Sequence, residues 1–371
     1  MKSLASGRVE VNVSVVVDAK REMAELRRGV TDLDRQLVAL LDARARAARR
    51  LAELRQDQPP ALPLMDQATI GELMARSTGD MPCESLRQIL GSVFAACLAL
   101  ELPVAIAIAG PEGGLAHVTA RGRFGRGGAV VALETTAAAI EEVSRRAAEY
   151  AVVPYESSAE GPILATIRAL TASDLRIVEM LDAPFDLALM SLSGEDAAIQ
   201  RVVATATDHA LCQRAVEALG AGVTAVDVRT PLLACEQAAQ DPASAALAIE
   251  PVGAELGLRP VRRGLVDRGG LRFRFAVLGA RPGARAGRDV TALVFGVQPA
   301  PGALLEVLKV FADRGLDLTR IQSQPMQGET WSYLFFAETV GHFTDRPLVV
   351  AFEEVKRLTR FFKLLGSYPA G

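Results

Sequence analysis

The chain has 371 residues, the length of two or three domains, and half of them are hydrophobic, enough for ordinary buried cores. Its 41 Lys and Arg nearly balance 44 Asp and Glu, and a net charge of −3 gives no general attraction to nucleic acid or to an anionic membrane. Four scattered cysteines (Cys83, Cys97, Cys212, Cys235) form no CxxC pair and read as buried thiols; His117, His209 and His342 have no metal-ligand spacing, so neither metal nor cofactor is expected.

In residues 1–18, Val9, Val11, Val13 and Val15 alternate with polar residues, the pattern of a short strand or a tail. Glu10, Asn12 and Ser14 break the apolar core a signal peptide needs, and no run reaches the ~20 apolar residues of a membrane span, so a cytoplasmic protein is expected. Residues 19–57 read as one long helix: Met23, Leu26, Val30, Leu33, Leu37, Leu40 and Leu41 recur at three- and four-residue steps, and Pro59-Pro60 stops it. Helical segments follow at 66–76 and 84–101. Three helices over 19–102 close little core alone, so pairing with a second copy is expected.

At Leu102-Pro103 the texture changes. Short Val/Ala/Ile runs at 104–109, 129–133, 151–154, 187–192, 201–205, 225–228 and 245–249 alternate with helical stretches, which predicts an α/β region with largely parallel sheets over 103–280. Residues 281–288 are rich in Gly, Pro and Arg and read as a linker. Residues 289–371 run strand, helix, strand, strand, helix, in the order of a βαββαβ unit.

Motifs in three blocks carry a resemblance. Pro301-Gly302-Ala303-Leu304-Leu305 resembles the "GAL" run, and Ile321-Gln322-Ser323-Gln324-Pro325 the "ESRP" run, of regulatory ACT domains in phenylalanine-sensing dehydratases. In the middle block, Gly110-Pro111-Glu112-Gly113 with His117 resembles "GPEGTFSH", and Val153-Pro154-Tyr155-Glu156-Ser157-Ser158 resembles "VPIENS". Ala210-Leu211 with Gln213 resembles the end of "SHPQALAQ", Thr230 falls in "STA", and Arg274-Phe275 falls in "TRF". Leu26-Arg27, Asp34, Leu40-Leu41, Arg44, Arg55 and Asp66 fall at spacings of the all-helical chorismate mutase. The whole resembles the bifunctional chorismate mutase–prephenate dehydratase family. That implies an all-α mutase-like domain, a two-lobed α/β dehydratase-like domain of periplasmic-binding-protein type (second lobe about 183–260), and a ferredoxin-like α+β ACT domain. It also implies chorismate or prephenate as substrate, phenylalanine as effector, and a homodimer or homotetramer.

For the mutase block, the resemblance implies that Arg27, Arg44 and Arg55 hold a dianionic substrate, Arg27 reaching the partner subunit's site, with Asp66 and Glu101 beside them. Bidentate guanidiniums suit carboxylates, and a pericyclic rearrangement needs only placement and donors at the breaking ether bond. An Arg-rich helix equally reads as a solvated basic face. Glu101 stands where the family has Gln and donates to the ether oxygen only when protonated, so mutase activity is expected to rise toward acid pH.

For the dehydratase block, the implied cleft residues are Glu156, Ser158, His209, Thr230, Phe273 and Arg274. Phe273 occupies the position of the Thr favoured as proton donor to the departing hydroxide, and Leu271 that of the Asn before it; a phenyl ring donates nothing. Three outcomes stay open: dehydration to phenylpyruvate, a changed reaction such as decarboxylation with the hydroxyl retained, or a non-catalytic homologue that senses a ligand or scaffolds another enzyme. In the regulatory block, Gly302, Ala303, Leu304, Gln322, Ser323, Gln324 and Pro325 are the implied effector contacts; dimerisation alone is the plainer alternative.

Overall fold

The computed structural model describes residues 13–54, 72–101, 104–125, 128–196, 199–325 and 333–370. Helix α1 (Val13–Leu54) runs 42 residues without a proline. It takes in Val13 and Val15, where alternation predicts a short strand or a tail. A β-prone start continuous with a strong helix-former adds one hydrogen bond per residue to an existing helix, and that outweighs local strand preference. Its apolar stripe is open: Met23, Leu26, Val30, Leu33, Leu37 and Leu40 are each more than half exposed. The chain divides into two compact units at Gln56/Asp57, and α1 makes up the described part of the first.

Helix α2 (Cys83–Glu101) belongs to the second unit, where Leu98 joins a core with Val104, Ala120 and Phe124. Cys97, Cys212 and Cys235 are buried as expected, but Cys83 is exposed, because it opens α2 just after Pro82 rather than lying on its packed face. Burial pushes the Cys212 and Cys235 thiols up to about 12, so both are inert at neutral pH.

The second unit has three parts. The first lobe comprises β1 (Ile106–Ala109), α3 (Leu115–Phe124), β2 (Val130–Leu133), α4 (Thr136–Ser144), β3 (Tyr150–Ser157), β4 (Gly161–Pro162), α5 (Leu164–Thr171) and β5 (Arg176–Pro184). The second lobe comprises β6 (Ala188–Ser191), β7 (Arg201–Ala204), α6 (Ala206–Leu211), α7 (Gln213–Glu217), β8 (Thr224–Asp227), α8 (Pro231–Gln240), β9 (Ser244–Ala248), α9 (Glu250–Glu255) and β10 (Arg259–Arg262), with strand order β10-β6-β9-β7-β8. Strand β11 (Arg272–Gly279) then returns to the first lobe and runs antiparallel between β3 and β5. This return makes the sheets mixed rather than largely parallel: β1, β2 and β3 are parallel, as are β7, β8 and β9, while β6, β10 and β11 run against their neighbours.

The C-terminal unit is β12 (Asp289–Gly296), α10 (Ala303–Ala312), β13 (Leu318–Pro325), β14 (Tyr333–Val340), α11 (Arg346–Leu358) and β15 (Phe361–Pro369), in the predicted βαββαβ order. Its strands lie in the order β13-β14-β12-β15, and β15 joins β5 through one parallel bridge, Gly366 to Ile177. On paper this makes one long sheet in which β13 lies six strands from β3, ~29 Å at ~4.8 Å per strand. Arg320 on β13 nevertheless reaches Glu156 on β3 at 2.7 Å. The path therefore folds back on itself at the β15–β5 bridge. One face of the C-terminal sheet is covered by α10 and α11. The other shares a core with the first lobe, where Val294, Phe336, Leu365 and Tyr368 pack with Val153, Tyr155 and Ile167. Residues 281–288 connect the two parts as a loop held close: a Cβ on Gly283 would meet Ser367 O at 2.9 Å and Val178 O at 3.0 Å.

Candidate functional site

Residues at the ends of β3, β11 and β5 gather next to the second lobe, but the sheet sorts them onto two faces. On the face turned to the C-terminal unit, Glu156, Ser158, Asp182, Arg272, Arg274 and Arg320 line a cavity of about 500 Å³ with Met180. Glu156 divides its carboxylate: Oε2 accepts from Arg274 Nη1 at 3.0 Å, and Oε1 lies 2.7 Å from Arg320 Nη2. Arg272 pairs with Asp182 at 2.6 Å, both more than half exposed, so this pair is screened. Ser158 serves the backbone: its Oγ accepts from Arg272 N–H at 3.0 Å.

Tyr155 is the extra residue of a β-bulge. Arg274 pairs with Glu156 and Phe275 with Pro154, so Tyr155 has no partner in the ladder. The bulge brings two consecutive side chains, Tyr155 and Glu156, to the C-terminal unit. Tyr155 donates its hydroxyl to Glu338 Oε1 at 3.0 Å, and Tyr368 donates to the same oxygen at 2.9 Å. Burial raises both phenols above their ordinary range, which keeps them protonated as donors.

On the opposite face lies Phe273. It packs edge-on to Phe185 with ring centres 5.8 Å apart and 6.3 Å from Phe275. An aromatic cluster thus fills the position where the resemblance places a hydroxyl donor. On this side the two lobes enclose a larger cavity, about 770 Å³, whose apolar wall includes Leu115, Val118, Leu181, Leu187, Ile249 and Pro251. Four of its charged groups form two pairs: Arg123 Nε bonds both Glu179 oxygens at 2.9 and 2.7 Å, and Arg263 grips Glu250 with two 2.7 Å bonds; Asp182 turns to Arg272, and Asp186 accepts from Leu187 N–H. Burial raises the Glu179 carboxyl despite Arg123.

The lobes touch where Leu232 N–H donates to Glu112 O at 3.2 Å. Gly113 permits the approach: its φ is +76°, and a Cβ there would stand 2.6 Å from Leu232 N. In the second lobe, Thr230 caps α8 by accepting from Leu233 N–H at 3.2 Å. His209 is packed within that lobe, Nε2 3.3 Å from Val226 O and 3.7 Å from Asp227, with a buried Nδ1 that has no partner. The expected dehydratase residues are therefore not one cluster: Glu156, Ser158 and Arg274 share a cavity, Phe273 lies behind them, and His209 and Thr230 hold the second lobe together.

In the first unit Arg27 and Arg44 are exposed on α1, 17 residues and ~25 Å apart along the axis. Arg55 and Asp66 lie outside the described residues, as does the side chain of Glu101. In the C-terminal unit, Gly302 has φ +82° and begins α10, which carries Ala303 and Leu304. Gln322, Ser323, Gln324 and Pro325 complete β13; Gln324 is buried with no partner for its Nε2. Asp182, Arg272, Arg320 and Glu338 are site residues the motifs did not single out, and Tyr155 enters only as part of its run. The one signal for them was Tyr155 itself, a hydroxyl where "VPIENS" has an aliphatic side chain.

Fold and site define a two-lobed α/β protein with cavities on both faces of the central sheet, completed by a βαββαβ unit. Residues 106–283 match the family model described as prephenate dehydratase, and residues 26–102 that of chorismate mutase type II. A bifunctional chorismate mutase/prephenate dehydratase of Aquifex aeolicus (strain VF5) is 31% identical over 354 residues, 94% of this chain and 98% of its own. The chain belongs to the bifunctional chorismate mutase/prephenate dehydratase family. Among solved structures, a prephenate dehydratase of Arthrobacter aurescens in complex with L-Phe superposes with a TM-score of 0.60 at 27% identity, covering 72% of this chain and 90% of that one. A protein described as a novel type of quorum quenching acylase gives the same TM-score at 25% identity over 72% of this chain and 98% of its own. The shared fold thus accompanies more than one described activity. Among the described residues, no helix is long and apolar enough to cross a membrane.

Proposed function

We propose that the chain acts on chorismate and prephenate, intermediates of aromatic amino acid biosynthesis, and that its dehydratase-type site diverts prephenate from that route by binding it without expelling the hydroxide. Phe273 carries this reading: edge-on to Phe185, it leaves no proton donor at the position where the family uses Thr. Prephenate held in this way still has a route to product. The bond from ring carbon to carboxylate breaks, carbon dioxide leaves, the electron pair enters the ring diene, and a proton adds at ring carbon while the hydroxyl stays. The product would be a dihydro-hydroxyphenylpyruvate.

Incubation of the full chain with chorismate, and separately with prephenate, followed by mass spectrometry, tests the reading. A dihydro-hydroxyphenylpyruvate is expected; phenylpyruvate as the main product refutes the retained hydroxyl, and unchanged prephenate refutes catalysis at this site. In Phe273→Thr, phenylpyruvate formation should rise by on the order of 10²-fold.

Assembly and regulation follow the family. Arg27 and Arg44 stand too far apart on one helix to grip one small dianion together, which supports a mutase site shared between two copies, and so a homodimer or homotetramer. L-Phe in the Arthrobacter structure supports phenylalanine as the ligand of the C-terminal unit, bound by Gly302–Leu304 and Gln322–Pro325.

A further inference from the structure

We propose that Arg320, a residue of the C-terminal unit, is a positioning residue of the substrate site: it holds Glu156 so that Arg274 stays available to a substrate carboxylate. The proposal rests on the reading that the chain binds prephenate, and adds that one carboxylate of that substrate reaches Arg274 in the smaller cavity, which shares Met180 and Asp182 with the larger one on the Phe273 side.

The geometry has three parts. First, a lone carboxylate beside a guanidinium settles into a two-pronged pair, which uses two of the arginine's donors and cancels its charge. Glu156 does not do this. Its Oε1 is taken by Arg320 at 2.7 Å, so Arg274 meets only Oε2, through one nitrogen at 3.0 Å. Arg320 divides the carboxylate, so Glu156 claims one nitrogen of Arg274; a further bond joins Arg274 to the Tyr368 hydroxyl, and its remaining donors border a cavity of about 500 Å³.

Second, Arg320 is itself held. Its Nε lies 3.8 Å from Glu338 Oε2, and the other oxygen of Glu338 accepts from Tyr155 and Tyr368. Consecutive residues of the β3 bulge are therefore both gripped from the C-terminal unit, Tyr155 by Glu338 and Glu156 by Arg320. Glu338 is 5% exposed as a side chain, and Arg320 26%, so these bonds are shielded from bulk water.

Third, Arg320 shares its strand with the effector motif. From Arg320 to Pro325 the β13–β14 register is regular, so Arg320, Gln322 and Gln324 point to one face of β13. A ligand that shifts Gln322 or Gln324 moves the strand that carries the clamp on Glu156.

The test uses full-length protein and three variants: Arg320→Met, Arg320→Lys and Tyr155→Phe. Prephenate binding is read by calorimetry, turnover by product formation, and amide hydrogen exchange over residues 155–158 by mass spectrometry. In Arg320→Met, Kd and KM for prephenate should rise about tenfold while kcat changes less than about threefold. Lysine keeps a cation against Oε1, so Arg320→Lys should recover most of the affinity; Tyr155→Phe should show a smaller rise in Kd than Arg320→Met. Exchange over 155–158 should rise at least about tenfold in Arg320→Met and little in Arg320→Lys. Unchanged affinity in a folded Arg320→Met that still binds prephenate overturns the proposal and leaves the functional reading standing. If the unaltered protein binds no prephenate, the functional reading falls instead. The exchange experiment then decides the clamp: unchanged protection in Arg320→Met overturns it, and lost protection restored by lysine supports it.

Discussion

Single residues set both the chemistry and the stability of this chain. Phe273 alters the chemistry, and the Arg123–Glu179 pair is the plainest case for stability. Its side chains are 3% and 10% exposed, with bonds of 2.9 and 2.7 Å. Removing one partner of such a pair strands the other, at a cost of about 3–5 kcal/mol. Arg123→Met should lower the thermal midpoint accordingly. The pH dependence has a definite sign. Burial raises the Glu179 carboxyl above its unfolded value, so the native state takes up a proton more readily than the unfolded chain. Stability attached to this group is therefore gained as pH falls through the folded pKa, and more so once Arg123 no longer opposes the shift. The deficit of Arg123→Met against the parent should shrink between pH 8 and pH 5 in calorimetric scans; a deficit that widens toward acid would show that Glu179 stays charged.

Elements show where the sequence was legible. Strands β1, β2 and β6 to β9 fall within a residue or two of the expected runs, because each is a short stretch rich in Val, Ala or Ile; β1, β6, β7 and β9 are buried on both faces, while β2 and β8 are partly open. Strands β5 and β11 carry no such run. Arg176, Glu179, Asp182, Arg272 and Arg274 interrupt their apolar pattern, and only the fold shows that these charges meet partners such as Glu156 and Arg123. Motif resemblance located Thr230, and the structure adds that its hydroxyl caps α8. Thr230→Ala should cost about 1 kcal/mol of stability, read by urea unfolding, with prephenate affinity within about twofold of the parent. A large loss of affinity without a loss of stability would return Thr230 to the substrate.

At the scale of the molecule, helix α1 displays a hydrophobic stripe of six residues more than half exposed. An open stripe of that length is unusual on a monomer and calls for a partner of similar character. Replacing Leu33 and Leu37 together with Lys should reduce the mass seen by light scattering from that of an oligomer to that of one chain, with loss of mutase activity. If the double variant keeps the parent's mass, α1 is not the contact.

Strand β11 has a further consequence, for synthesis. It lies between β3 and β5, yet it follows them by the whole second lobe. As the chain leaves the ribosome, the first lobe must wait with a strand-wide slot down the middle of its sheet, two rows of unpaired backbone groups open to any extended peptide nearby. The second lobe, by contrast, is continuous from β6 to β10 and can close as soon as it emerges. Folding order would then run against chain order: the middle first, and the lobe that began earlier sealed only when its missing strand arrives.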